Sequence, residues 1–134
     1  MNPSFNTKTL DELRAKLASK EYQSVLDICN ELQKEGSNAS VEFYLFKGIA
    51  LRELKELEES YDIYKQGLKL FPENKHLLND FAGLLILKKS YKEARSTLKK
   101  ILNKNPTNAT AIKNLEALDL FLMKNNKHCF TQVN

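Results

Sequence analysis

The sequence contains no tryptophan, four glycines, three prolines, two cysteines and two histidines in 134 residues. So few glycines and prolines leave little material for the closely spaced turns of an all-β fold. The longest uncharged apolar run, Phe81 to Leu87, has seven residues, where a membrane-spanning helix needs about 20. Met1 to Lys20 alternates polar and apolar residues, with no basic head before an apolar block, so a secretory signal is not expected. Cys29 and Cys129 lie too far apart for a small disulfide framework. A cytoplasmic, reducing location is the expectation, with no membrane insertion. Cys29 sits among Val25, Leu26, Ile28 and Leu32 and reads as a small buried hydrophobe.

What is present is ordinary for a soluble globular chain: 42% hydrophobic and 28% charged residues, too apolar for disorder. The charge is unevenly placed. Residues 1–67 carry 9 Lys/Arg against 12 Asp/Glu, a net −3, while residues 68–134 carry 12 against 5, a net +7.

The chain is self-similar at a spacing of 34 residues. With Val41 set on Lys75, Tyr44 falls on Leu78, Gly48 on Ala82, Leu51 on Leu85, Ser60 on Ala94, Tyr64 on Leu98 and Gly67 on Ile101. Pro72-Glu73-Asn74 then lands on Pro106-Thr107-Asn108. Each unit reads as two helices, about 41–53 with 56–70 and 75–88 with 91–103. Small residues at 48, 82, 60 and 94 let the paired helices approach, and Leu51, Leu85, Tyr64 and Leu98 fill the space between them. Pro72 and Pro106 stop the second helix of each unit, and Asn74 and Asn108 suit the N-cap of the next. This length and pattern of small, apolar and proline positions resembles the tetratricopeptide repeat.

The resemblance implies an all-α fold: one right-handed α-solenoid of three helix-turn-helix units plus a capping helix. Repeat one spans about 7–40, repeat two 41–74, repeat three 75–108, the capping helix 109–123, and a frayed tail 124–134. Repeat one is the most divergent. Leu10, Leu13 and Leu17 form its first stripe, Thr9 with Glu12 suggests a capping box, and either Leu13 or Arg14 takes the small-residue slot. The capping helix carries Glu116 and Asp119 where a further repeat would pack, as a solvated end requires. Its Leu118 and Leu122 lie on a face apart from Ile112 and Leu115. With Met123 they are expected to meet solvent, the tail with its Phe130, or a second copy in a homodimer.

Chemical equipment is sparse. His76 and His128 stand near no nucleophile motif, and no glycine-rich loop could cradle phosphate. His128-Cys129 lacks a second ligand pair at zinc spacing. Neither enzymatic activity, a metal nor a cofactor is expected. Glu56, Glu58, Glu59 and Asp62 suit the start of a helix. Asn38-Ala39-Ser40 and Asn108-Ala109-Thr110 have the glycosylation spacing but fall where turns favour Asn.

Two surfaces are candidates for partners. A basic run, Lys88, Lys89, Lys92, Arg95 and Lys99, extended by Lys100 and Lys104, could face phosphates or an acidic surface. It has only Tyr91 as an aromatic neighbour, so nucleic acid is the lesser reading. The resemblance places the first helices along a concave groove. Its inward face would carry Leu45, Ile49 and Arg52 in repeat two, and Asn79, Gly83, Ile86 and Leu87 in repeat three. Lys113, Ala117, Leu120 and Phe121 continue it in the capping helix. Gly83 would leave room there for a ligand backbone. Family members that bind chaperone C-termini carry a clamp of Lys, Asn, Asn, Lys and Arg on this face. The corresponding positions are approximately Asp11, Ala15, Phe46, His76 and Asp80, none of which matches. The expected function is a non-catalytic scaffold that holds a partner peptide or helix in an apolar groove.

Overall fold

In the computed structural model, residues 6–125 are described, and they form seven helices: α1 (Thr7–Ala18), α2 (Tyr22–Lys34), α3 (Val41–Glu53), α4 (Leu57–Leu70), α5 (Lys75–Leu87), α6 (Tyr91–Lys104) and α7 (Ala109–Asn125). No strand occurs among the described residues. Successive helices pack in pairs, α1 with α2, α3 with α4 and α5 with α6, and α7 packs against α6. The last helix runs two residues into the segment expected to fray. His128, Cys129 and Phe130 lie outside the described residues.

Local chemistry sets the helix ends. Asn74 Oδ1 accepts from Leu77 N at 3.0 Å and Asn108 Oδ1 from Ala111 N at 2.9 Å, satisfying amide groups that have no partner within the helix. Ser40 Oγ accepts from Phe43 N at 3.3 Å. One side chain of each glycosylation-like triplet, Ser40 in the first and Asn108 in the second, is thus used in capping. Phe71 (φ −130°, ψ 68°) and Asn105 (φ −137°, ψ 84°) sit outside the helical region because Pro72 and Pro106 follow them. The first helix departs from the expected capping box: Asn6 is its N-cap and accepts from Thr9 N at 2.9 Å. Thr9 lies inside the helix, and its hydroxyl donates back to Asn6 Oδ1 at 3.1 Å.

Within each pair the turn is the same. Lys20, Lys55 and Lys89 have φ of 60°, 68° and 63°. In each case the following amide reaches back to a carbonyl five residues earlier: Glu21 to Lys16 at 2.8 Å, Glu56 to Leu51 at 2.8 Å and Ser90 to Leu85 at 2.8 Å. This left-handed C-terminal cap usually takes glycine. Here lysine carries it, and glycine appears only in the α2–α3 turn, at Gly36 (φ 75°).

The shared turn fixes the register of the first pair. With Lys20 set on Lys55, Leu13 takes the slot of Gly48 and Cys29 that of Tyr64. Leu13 and Cys29 are fully buried, whereas Arg14 is exposed. Bulk has moved from the second helix to the first: Gly48 with Tyr64 in one pair becomes Leu13 with Cys29 in the other. In the second pair Ser60 Oγ donates to Gly48 O at 2.8 Å, which satisfies a buried hydroxyl. In the third, Ala82, Ala94 and Leu98 are fully buried.

Helix α7 corrects one expectation. Leu118 is 3% exposed and Ala111 fully buried, and Leu122 is half-buried against the core. Among the described residues, the exposed large hydrophobics of this helix are Leu120, Phe121 and Met123. Leu118 therefore does not form an exposed face with Met123. Asp119 faces α6 and holds Arg95 at 3.1 Å.

Candidate interaction groove

The first helices of the pairs form a continuous inner row: α1 packs on α3, and α3 on α5. No comparable contact joins α5 to α7. Between those two helices the row opens into a pocket of about 290 Å³ lined by Ile86, Tyr91, Asn114, Ala117, Leu118 and Phe121. The aromatic wall is a tilted pair, Tyr91 and Phe121, with ring centroids 5.2 Å apart. Leu87 and Leu120 are 50% and 68% exposed.

Of the residues expected to line the groove, Ile86, Ala117 and Phe121 share this pocket. Leu45 and Ile49 are half-buried on α3, with Leu45 packed on the core. Lys113 is exposed. Phe46, placed on the inward face by its position, is buried. Tyr91 lies outside the expected groove face because it belongs to a second helix. It reaches the pocket from the first residue of α6, immediately after the tight turn.

Farther along the row the surface is polar. Arg52 Nη1 lies 3.9 Å from where a Cβ on Gly83 would stand, so the guanidinium flanks the space expected to admit a ligand backbone. Arg52 also pairs with Glu53 at 3.3 Å. Burial pushes the Asp80 carboxyl above its ordinary range, against the pull of Arg52 and His76. Desolvation likewise raises the Tyr64 phenol, whose buried oxygen has no hydrogen-bond partner. Asn79 Oδ1 is buried and unpaired as well.

The basic run does not form one free patch. Lys88 is ion-paired with Glu58 and stands 4.8 Å over the Tyr61 ring. Arg95 is held by Asp119, and Lys89 occupies the α5–α6 turn. Lys92 and Lys99 are exposed on α6. Glu58 and Glu59 lie in the first turn of α4, at the positive end of the helix.

Comparison with known proteins agrees with this architecture. Residues 51–118, just over half of the chain, match the tetratricopeptide repeat family. The chain is 28% identical over 104 residues to the TPR repeat-containing protein YsoA of Bacillus subtilis (strain 168), covering 77% of this chain and 31% of that protein. It thus spans about a third of that relative's length. Among solved structures it resembles the Arabidopsis OM64 TPR domain, with TM-score 0.76 and 18% identity over 85% of this chain and 94% of that one. It is also similar to the second TPR domain of human RPAP3 in complex with the HSP70 peptide SGPTIEEVD. There the TM-score is 0.72 and the identity 14%, covering 81% of this chain and 90% of that one. With its paired helices, their shared turns and this match, the chain belongs to the tetratricopeptide repeat family.

Proposed function

We propose that the chain is a non-catalytic protein-interaction module whose inner groove holds an apolar segment of a partner protein, anchored between α5 and α7. The observation that carries this reading is the gap in the inner row, with Ile86, Ala117 and Phe121 lining it and Leu87 and Leu120 largely exposed. Large apolar side chains left in solvent around a concavity gain roughly 25 cal/mol per Å² when a ligand covers them. A pocket of about 290 Å³ accepts one or two side chains. The ligand is therefore a segment with a Leu- or Phe-sized anchor, either helical or extended. The similar RPAP3 domain holds a peptide, which supports a peptide-sized ligand. None of the residues at the clamp positions, Asp11, Ala15, Phe46, His76 and Asp80, matches the clamp pattern, so an internal apolar segment fits better than a free C-terminus.

Selection of phage-displayed random peptides against the chain tests this. Enriched peptides should share an apolar anchor and lose binding to a Leu120→Asp, Phe121→Asp variant that keeps its helical circular dichroism. Peptides that bind this variant as well as the original chain would overturn the reading. A second copy is the competing occupant, through Leu120, Phe121 and Met123, and sedimentation of the unliganded chain distinguishes it.

A further inference from the structure

The outer surface carries a second concavity, unrelated to the inner groove. Two contiguous hollows of about 490 and 560 Å³ share Pro72, Leu78 and Lys100 and run between α4 and α6. Their floor is carbon: Leu68, Pro72, Leu78 and Phe81, with the lysine stems above it. Lys65 and Lys69 stand one turn apart on the α4 side, and Lys100 and Lys104 one turn apart on the α6 side. Two ion pairs span the groove. Lys65 meets Glu93 of α6 at 3.9 Å, and Lys104 meets Glu73 of the α4–α5 turn at 2.9 Å. Lys69 and Lys100, in the middle, have no carboxylate within ion-pair distance among the described residues. An apolar floor between two cationic rails is the complement of an amphipathic helix with acidic flanks. Side chains one turn apart on such a helix match the one-turn spacing of the lysines.

We propose that this convex groove docks an acidic amphipathic helix of a partner protein, lying between α4 and α6. Its apolar stripe covers Leu68 and Pro72, and its carboxylates reach Lys69 and Lys100. At the groove ends the ligand's carboxylates compete with Glu93 and Glu73. Both intramolecular pairs are solvent-exposed, with side-chain exposures of 53% and 40% for one and 67% and 64% for the other, so giving them up costs little. Nucleic acid suits the groove less well. Phe81, its only aromatic floor residue, is 3% exposed and offers no stacking surface, and Glu73 and Glu93 repel a phosphate chain.

The probe is a fluorescein-labelled amphipathic peptide of about 14 residues, the length of α6, with leucines on one face and glutamates flanking them. Binding is read by fluorescence anisotropy on the full chain. Lys69→Glu with Lys100→Glu should weaken binding about tenfold or more, whereas Glu73→Gln with Glu93→Gln should strengthen it. Leu120→Asp with Phe121→Asp, which disables the inner groove, should leave it unchanged, so this proposal and the inner-groove reading fail separately. Binding that is absent up to about 1 mM or indifferent to the lysine reversals would overturn it. So would an oligothymidylate that binds more tightly than the peptide and loses affinity with the same lysines, which would assign the groove to nucleic acid.

Discussion

Gly48 of α3 lies against the ring of Tyr64 of α4 so closely that a Cβ added there would stand 2.6 Å from Cζ, 2.8 Å from Cε1 and 2.9 Å from Cε2. The ring is fully buried and has nowhere to move in a close-packed core. Gly67 does the same from the opposite helix, where an added Cβ would meet Tyr44 Cβ at 2.7 Å. The pair α3–α4 is thus held at glycine distance at two points, one on each helix.

Gly48→Ala should therefore destabilise the fold by about 1–2 kcal/mol, the overpacking cost less the gain in helix propensity. Gly83→Ala is the control, because only Arg52 Nη1 lies near, at 3.9 Å. It should be neutral or stabilising by up to about 1 kcal/mol. Urea unfolding of both variants checks the contrast.

The left-handed lysines offer the opposite change. Lys55 holds φ 68° in the turn between α3 and α4, a conformation that costs a side-chain-bearing residue roughly 1 kcal/mol. Lys55→Gly should raise stability by a few tenths to about 1 kcal/mol, the relief being partly offset by greater freedom of the unfolded chain. A thermal melt that falls would show that the lysine side chain contributes more than its backbone costs.

Burial pushes the Cys29 thiol up to about 12, so it carries almost no thiolate at neutral pH. In a Cys129→Ser background the remaining thiol should resist Ellman's reagent in the native state and react at once in denaturant. Rapid native labelling would mean that the α1–α2 pair opens readily.

Asp80 supplies a pH test. Its folded-state pKa lies above the unfolded value, so the native chain binds the proton more tightly. Stability contributed by this group is present below the unfolded pKa and is lost as pH rises through the folded one. Asp80→Asn should flatten that fall and raise the melting temperature at pH 7. A variant less stable at pH 7 would show that the Arg52 contact outweighs desolvation.

Much of this architecture was legible because its signals are local. Pro72, Pro106, Asn74 and Asn108 mark helix ends by backbone chemistry alone, and the small residues at 48, 82, 60 and 94 mark close approach. The first pair was not legible to the residue. No proline punctuates it, and only the turn at Lys20 shows that Leu13 rather than Arg14 takes the slot of Gly48. The buried face of α7 differs from the expected one, although the repeat carries a signal for it: Leu77 and Leu84 stand 34 residues before Ala111 and Leu118, and all four are buried. The lining of the pocket between α5 and α7 is only partly visible in the sequence. The family resemblance implies Ile86, Ala117 and Phe121, but Tyr91 enters from another helix, a relation that depends on how the pairs stack. The convex groove was out of reach for the same reason, since its lysines come from two units.

On the proposed function, a partner segment binds in the opening between α5 and α7. Methyl-resolved NMR of the isotope-labelled chain, titrated with a peptide enriched by phage display, tests it most directly. The methyl signals of Ile86, Leu87, Ala117 and Leu120 should shift together and saturate, while those of Leu68 and Ile101 on the outer side stay in place. Shifts confined to the outer side, or none near Ile86 and Leu120 at saturating peptide, would contradict it.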